Sequence, residues 1–223
     1  MPFEALHLCR WACWLTLALA LPAQARCPAP AARVLLERFV PADCEACWRD
    51  AVAPAGAPAV LDWIVPSARG DEAPLSAAAF AEAADRAGAL PTDATMQRRH
   101  ALAPSAGLHV SVQDGPAWNG YIGLQLRVQR QRGGALAQGA VAYLALVENV
   151  AAGDEGTPIM RRLVRVLAGP LPLDAERVSN EHLRALRVPT GARAERLGSV
   201  GWVENPSGQV LAWAVAPRDG CAR

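Results

Sequence analysis

Apolar residues in the first third of the chain gather in short runs bounded by prolines. RVLLERFV, closed by Pro41, reads as a buried strand, and PAVLDWIVP, set between prolines, as a second apolar strand. Between them, Asp43 is placed to cap a helix over EACWRDAVAP that Pro54 and Gly56 stop. LSAAAFAEAADRAGAL, with a serine near its start and Gly88 near its end, predicts a second helix. TDATMQRRHALA predicts a third, capped by Thr92 or Asp93. LHVSVQDG alternates apolar and polar positions and ends in a turn, the mark of a strand.

Beyond Trp118 the period changes. YIGLQLRVQRQ and GAVAYLALVENV are strands around a glycine-rich turn, whereas PIMRRLVRVLAG and EHLRALRVP carry no decisive pattern. RLGSVGWVENPSGQVLAWAVAP is a hairpin, with Asn205-Pro206-Ser207-Gly208 as turn chemistry between two alternating runs. Strand, helix, strand, helix, strand followed by mostly antiparallel strands predicts an α/β domain over residues 26–117. A β-rich, sandwich-like domain is then expected over 118–223.

The N-terminus alters the compartment. MPFEALHLCR, the apolar run WACWLTLALA and LPAQA with its small-x-small ending at Ala23-Gln24-Ala25 form a secretory signal peptide over residues 1–25. The run is shorter than the roughly 20 residues a membrane span needs. Cleavage after Ala25 predicts a periplasmic or secreted protein with no membrane segment afterwards. Formal net charge is +1, which gives no electrostatic case for nucleic acid or an anionic surface. All positive charge is arginine, so lysine chemistry is excluded.

Cleavage also removes Cys9 and Cys13 and leaves Cys27, Cys44, Cys47 and Cys221. An even number in an oxidising compartment predicts disulfides. Cys44 and Cys47 can bridge locally. Cys27 and Cys221, one near each mature terminus, are then paired as a structural staple.

The C-x-x-C at Cys44 and Cys47 fits three chemistries: a redox dithiol, a structural disulfide or a metal clasp. A turn from strand into helix exposes the first cysteine, and free N–H groups at a helix start favour its thiolate. Cys44 is then the attacking nucleophile and Cys47 the resolving thiol. Asp43 and Glu45 push the other way with negative charge, and Arg49 is placed to offset them. A tetrahedral zinc site wants four ligands, and His100, His109 and His182 have no ligand spacing, so no metal is assigned. Copper would need a third soft ligand from Met96 or Met160. Trp48 after the motif excludes haem attachment of the C-x-x-C-H type. There is no G-x-S-x-G, phosphate loop or dinucleotide fingerprint.

The stretch around DCEACW resembles the thioredoxin-like superfamily, and more closely a secreted bacterial thioredoxin-like family of unknown function. Glu37, Phe39, Cys44 and Cys47 hold that family's spacing. The resemblance implies a thioredoxin-like fold in the first domain and thiol–disulfide exchange with protein thiols or disulfides, without a cofactor. It implies that Glu37 is an acid beneath the cysteines that moves protons, and that a cis-proline stands opposite them, for which Pro104 is the candidate. Trp48 beside the cysteines and Trp118 at the domain junction, with Pro104, are expected to wall a partner groove. Two alternatives stay open: a binding module with a merely structural Cys44–Cys47 bridge, and periplasmic copper handling.

Overall fold

The computed structural model of the chain describes residues 34–52, 59–89, 93–102 and 107–217. The expected signal peptide, the Cys27–Cys221 staple and Pro104 lie outside them.

The first strand, β1 (Val34–Pro41), is buried along almost its whole length, the charged Glu37 and Arg38 included. It pairs in parallel with β2 (Ala59–Val65), Leu35 opposite Ala59 and Pro41 opposite Val65. Between them stands a single helical turn, α1 (Glu45–Trp48). Helix α2 (Ala81–Ala87) is shorter than its alanine-rich sequence suggests, and Gly88, at φ 69°, ends it. Its alanines Ala83 and Ala87 are buried, and they let the helix sit close against the sheet.

The segment predicted as a third helix is instead strand β3 (Met96–Ala101), antiparallel to β1. Its side chains alternate, Met96, Arg98 and His100 half-buried and Gln97, Arg99 and Ala101 exposed. Arg98 and His100 find their acceptors on one face only: Arg98 donates to the carbonyls of Arg86 and Ala87, and His100 bonds Glu37. A period of two satisfies both; a helical period would not.

The remaining strands are β4 (Leu108–Asp114), β5 (Tyr121–Arg130), β6 (Val141–Val150), β7 (Arg161–Pro172), β8 (Ser179–Arg187), β9 (Leu197–Glu204) and β10 (Val210–Val215). The two segments without a decisive pattern are thus β7 and β8. Seven strands form one sheet in the order β10-β9-β6-β7-β2-β1-β3, and three form a second in the order β4-β5-β8.

This architecture corrects the expectation of a thioredoxin-like α/β domain followed by a separate β-rich one. Strands from both sides of residue 117 share the large sheet, joined where β2 runs parallel to β7 at Asp62 and Leu163. The reason is burial: β2 is covered on both faces, so the N–H and C=O groups of its second edge cannot be left to water, and β7 pairs with them. The described helices are too short to cover both faces of the sheet. One face of its β6–β9–β10 half is instead covered by the three-stranded sheet, with Val112, Leu124, Leu126, Leu144, Leu146 and Val203 between them. Gly201 permits that approach, since a Cβ there would meet Leu126 Cδ1 at 2.5 Å and Val112 Cγ2 at 2.7 Å. The opposite face carries α2 over Leu35, Phe39, Leu61, Trp63, Val164 and Trp202. Among the described residues, no helix is long and apolar enough to cross a membrane.

Candidate functional site

At its C-terminal end β1 turns out of the sheet. The Cys44 N–H donates to the Pro41 carbonyl at 3.0 Å, and the Ala42 N–H donates to Val65 of β2 at 2.8 Å. Cys44 then caps α1, its sulfur accepting the Cys47 N–H at 3.2 Å. Cys44 and Cys47 form a disulfide with Cα atoms 5.2 Å apart. Both residues are half-exposed. Both sulfurs lie 3.7 Å from the carbonyl oxygen of Asp93, in the segment leading into β3.

With α1 only four residues long, little of the expected dipole assistance is available. Arg49 offsets one of the two flanking acids, paired to Glu45 at 2.5 Å. Asp43 faces Arg69 across 3.7 Å.

Beneath the disulfide the turn is bolted to the sheet. Trp48 is buried against Val40, Ile64, Val150 and Leu163, and its Nε1 donates to the Glu155 carbonyl at 2.8 Å. The guanidinium of Arg161, at the start of β7, lies over the Trp48 ring at 4.9 Å. Its Nη2 donates to the carbonyls of Trp48 at 2.5 Å and Asp50 at 3.1 Å, its Nε to Thr157 Oγ1 at 2.9 Å, and its Nη1 to Asp62 Oδ1 at 3.3 Å. Asp62 also receives Arg38 Nε at 2.6 Å and the Arg162 N–H at 3.1 Å. Burial pushes the Arg161 pKa below its ordinary value; Asp62 opposes that shift and Arg38 adds to it.

Glu37 does not serve the cysteines. It shares a face of β1 with Leu35 and Phe39, under α2, whereas Val40 on the other face packs with Trp48. Its carboxylate is held by Arg86, whose Nη2 is 3.0 Å from Oε2, and by His100 Nε2 at 2.8 Å. Burial alone would raise its pKa, but the His100 bond and the Arg86 charge outweigh burial and hold it below the ordinary carboxylate value. Arg86 also pairs with Glu204 at 2.5 Å and lies within 4.9–5.6 Å of the Trp63, Tyr143 and Trp202 rings. This cluster is a clasp for α2, remote in role from exchange.

The expected groove does not assemble. Trp48 is buried beneath the disulfide, and Trp118, 82% exposed, stands in the β4–β5 loop of the smaller sheet, bridged to Tyr121. The described chain has a cis peptide bond at Gly169–Pro170 in β7. Met96 packs on the core and Met160 is exposed. Sequence reading missed Arg161, Asp62 and Asp93. The Asp in the buried strand VLDWIV was a signal, since an unpaired carboxylate is not tolerated there.

No protein-family model matches the chain, and no curated protein does. Among solved structures, it is similar to HBP35 of Porphyromonas gingivalis, with TM-score 0.50 and 9% identity over 84% of this chain and 77% of that one. It also matches MtrC from Shewanella baltica OS185, with TM-score 0.30 and 11% identity over 49% of this chain and 21% of that one. The first likeness is one of fold, in keeping with the β-rich architecture; the second carries no argument.

Proposed function

We propose that Cys44 and Cys47 carry out thiol–disulfide exchange with protein thiols or disulfides. The observation that carries this reading is a half-exposed disulfide mounted on a buried, fully bonded base. A partner thiolate attacks the Cys44 sulfur, an S–S bond forms between them, and Cys47 leaves as a thiolate that takes a proton from solvent. A second partner thiolate attacks the mixed disulfide and releases Cys44. The partner loses two electrons, and the Cys44–Cys47 pair gains them with two protons. Run backwards, Cys44 is the nucleophile and Cys47 resolves.

Arg161 and Trp48 keep the turn in place whether or not the bond is closed, so the redox change is confined to the two sulfurs. A glutathione redox titration of the native protein, read by thiol alkylation and mass mapping, tests the reading. A potential above about −300 mV is expected. A value at or below that, or a bond that yields only on unfolding, assigns a structural disulfide instead.

A further inference from the structure

Strand β3 is the last strand of the large sheet. It pairs with β1 from Met96–Phe39 to Ala101–Val34, and no described strand lies on its other side. Because β3 is antiparallel to β1, it begins at the end of the sheet where β1 delivers the chain to Cys44. The residues just before it run beside the disulfide, with the Asp93 carbonyl 3.7 Å from each sulfur. The disulfide and the open edge therefore form one line.

The edge is rigid. Arg98 and His100 are tied inward to the Arg86 and Ala87 carbonyls and to Glu37, and Arg98 lies over the Phe39 ring at 5.4 Å. Gln97 and Arg99 are exposed, and Arg99 makes no ion pair among the described residues. Charge changes along the line: Asp93 stands at the disulfide end, where Asp43 and Glu45 are already paired with Arg69 and Arg49, and Arg99 stands six positions further on.

We infer that the outer edge of β3 is the docking surface for an extended segment of the protein partner, which adds to the sheet as an antiparallel strand and brings its own cysteine to the Cys44–Cys47 disulfide. This rests on the exchange reading above. Main-chain hydrogen bonds hold such a segment, and alternate side chains select it. An antiparallel partner runs towards the disulfide, so the gradient selects a basic residue beside its cysteine and an acidic residue about six positions earlier. At about 3.4 Å per residue that spacing spans roughly 20 Å of edge. A lone arginine on an edge also deters self-pairing, and the test separates that role from docking.

The test measures how fast peptide thiols open the disulfide of the oxidised native protein, by acid quench and mass mapping of the Cys44–Cys47 fragment. One peptide carries the acidic and basic residues as described, a second has them exchanged, and a third is the first with alternate backbone nitrogens methylated. The neutral thiol 2-mercaptoethanol, too short to pair, is the control. The first peptide reacts about tenfold faster than the second, the methylated one falls to the control's rate, and Arg99→Glu reverses the preference without changing the control. Equal rates for the three peptides, or a preference that survives Arg99→Glu, overturn the docking proposal while exchange stands. A disulfide that neither peptides nor 2-mercaptoethanol open in the folded protein overturns both.

Discussion

The buried charge set under the disulfide makes an asymmetric prediction. Asp62 faces two guanidinium groups, Arg38 at 2.6 Å and Arg161 at 3.3 Å, and the side chains of Asp62 and Arg161 are fully buried. Deleting one partner of a buried pair typically costs about 3–5 kcal/mol, because the survivor is left uncompensated. Asp62→Asn keeps the shape and strands two cations, so it belongs at the top of that range, about 5 kcal/mol. Arg161→Met strands no charge, since Asp62 keeps Arg38 and the Arg162 N–H. Its cost is the lost bonds to the Trp48 and Asp50 carbonyls and to Thr157, about 3 kcal/mol in all. Urea unfolding of the oxidised protein, followed by tryptophan fluorescence and far-UV circular dichroism and extrapolated linearly, measures both. Arg161→Met should also speed hydrogen exchange at the Cys47 and Trp48 amides. If Arg161→Met costs as much as Asp62→Asn, or if either costs under about 1 kcal/mol, the charge accounting is wrong.

Glu37 predicts an acid weakness. Its folded pKa lies below the ordinary 4.5, so the stability it contributes is complete above that value and drains as pH falls through the folded pKa. Glu37→Gln should be less stable at pH 7 and lose less than the native protein between pH 5 and pH 3; parallel urea midpoints for the two would refute this. Gly201→Ala drives a methyl group into Leu126 and Val112 and should cost about 1–3 kcal/mol by the same unfolding assay, a neutral result meaning that the two sheets are less closely packed than described. Trp48→Phe removes the bond to the Glu155 carbonyl and should cost about 1 kcal/mol or more while leaving the Cys44–Cys47 bond formed, which mass mapping would confirm.

Much of this was readable along the chain because it is local. The short apolar runs of β1 and β2, the alternation of β4 and the hairpin of β9 and β10 all appear where the pattern placed them. Asn205 accepts the Ser207 and Gln209 N–H groups in that hairpin as turn chemistry demands. The C-x-x-C was visible for the same reason, its two cysteines three residues apart. Reading failed where partners are distant. TMQRRHALA has respectable helical propensity, and only Glu37 and the α2 carbonyls, brought in by the fold, make its alternate positions worth burying. Glu37, Arg86, His100 and Glu204 meet across more than half the chain, and no spacing announces them. The role first given to Glu37 depended on which face of β1 it occupies, and a strand buried on both faces leaves that undetermined in sequence. The two-domain reading failed similarly, since an apolar strand records that it needs neighbours and not which ones.

The junction of β2 with β7 also sets an order of events. Asp62 and Arg161 are 99 residues apart. A ribosome adding about 5–20 residues per second needs several seconds to cover that interval. Meanwhile β2 has no partner on one side, and the Cys44 turn lacks the guanidinium that anchors it. The two cysteines, three residues apart, need none of that later chain to come within bonding distance. The motif is thus local and its base is not, since the large sheet joins strands from both ends of the chain, and pairings of such long sequence separation form slowly.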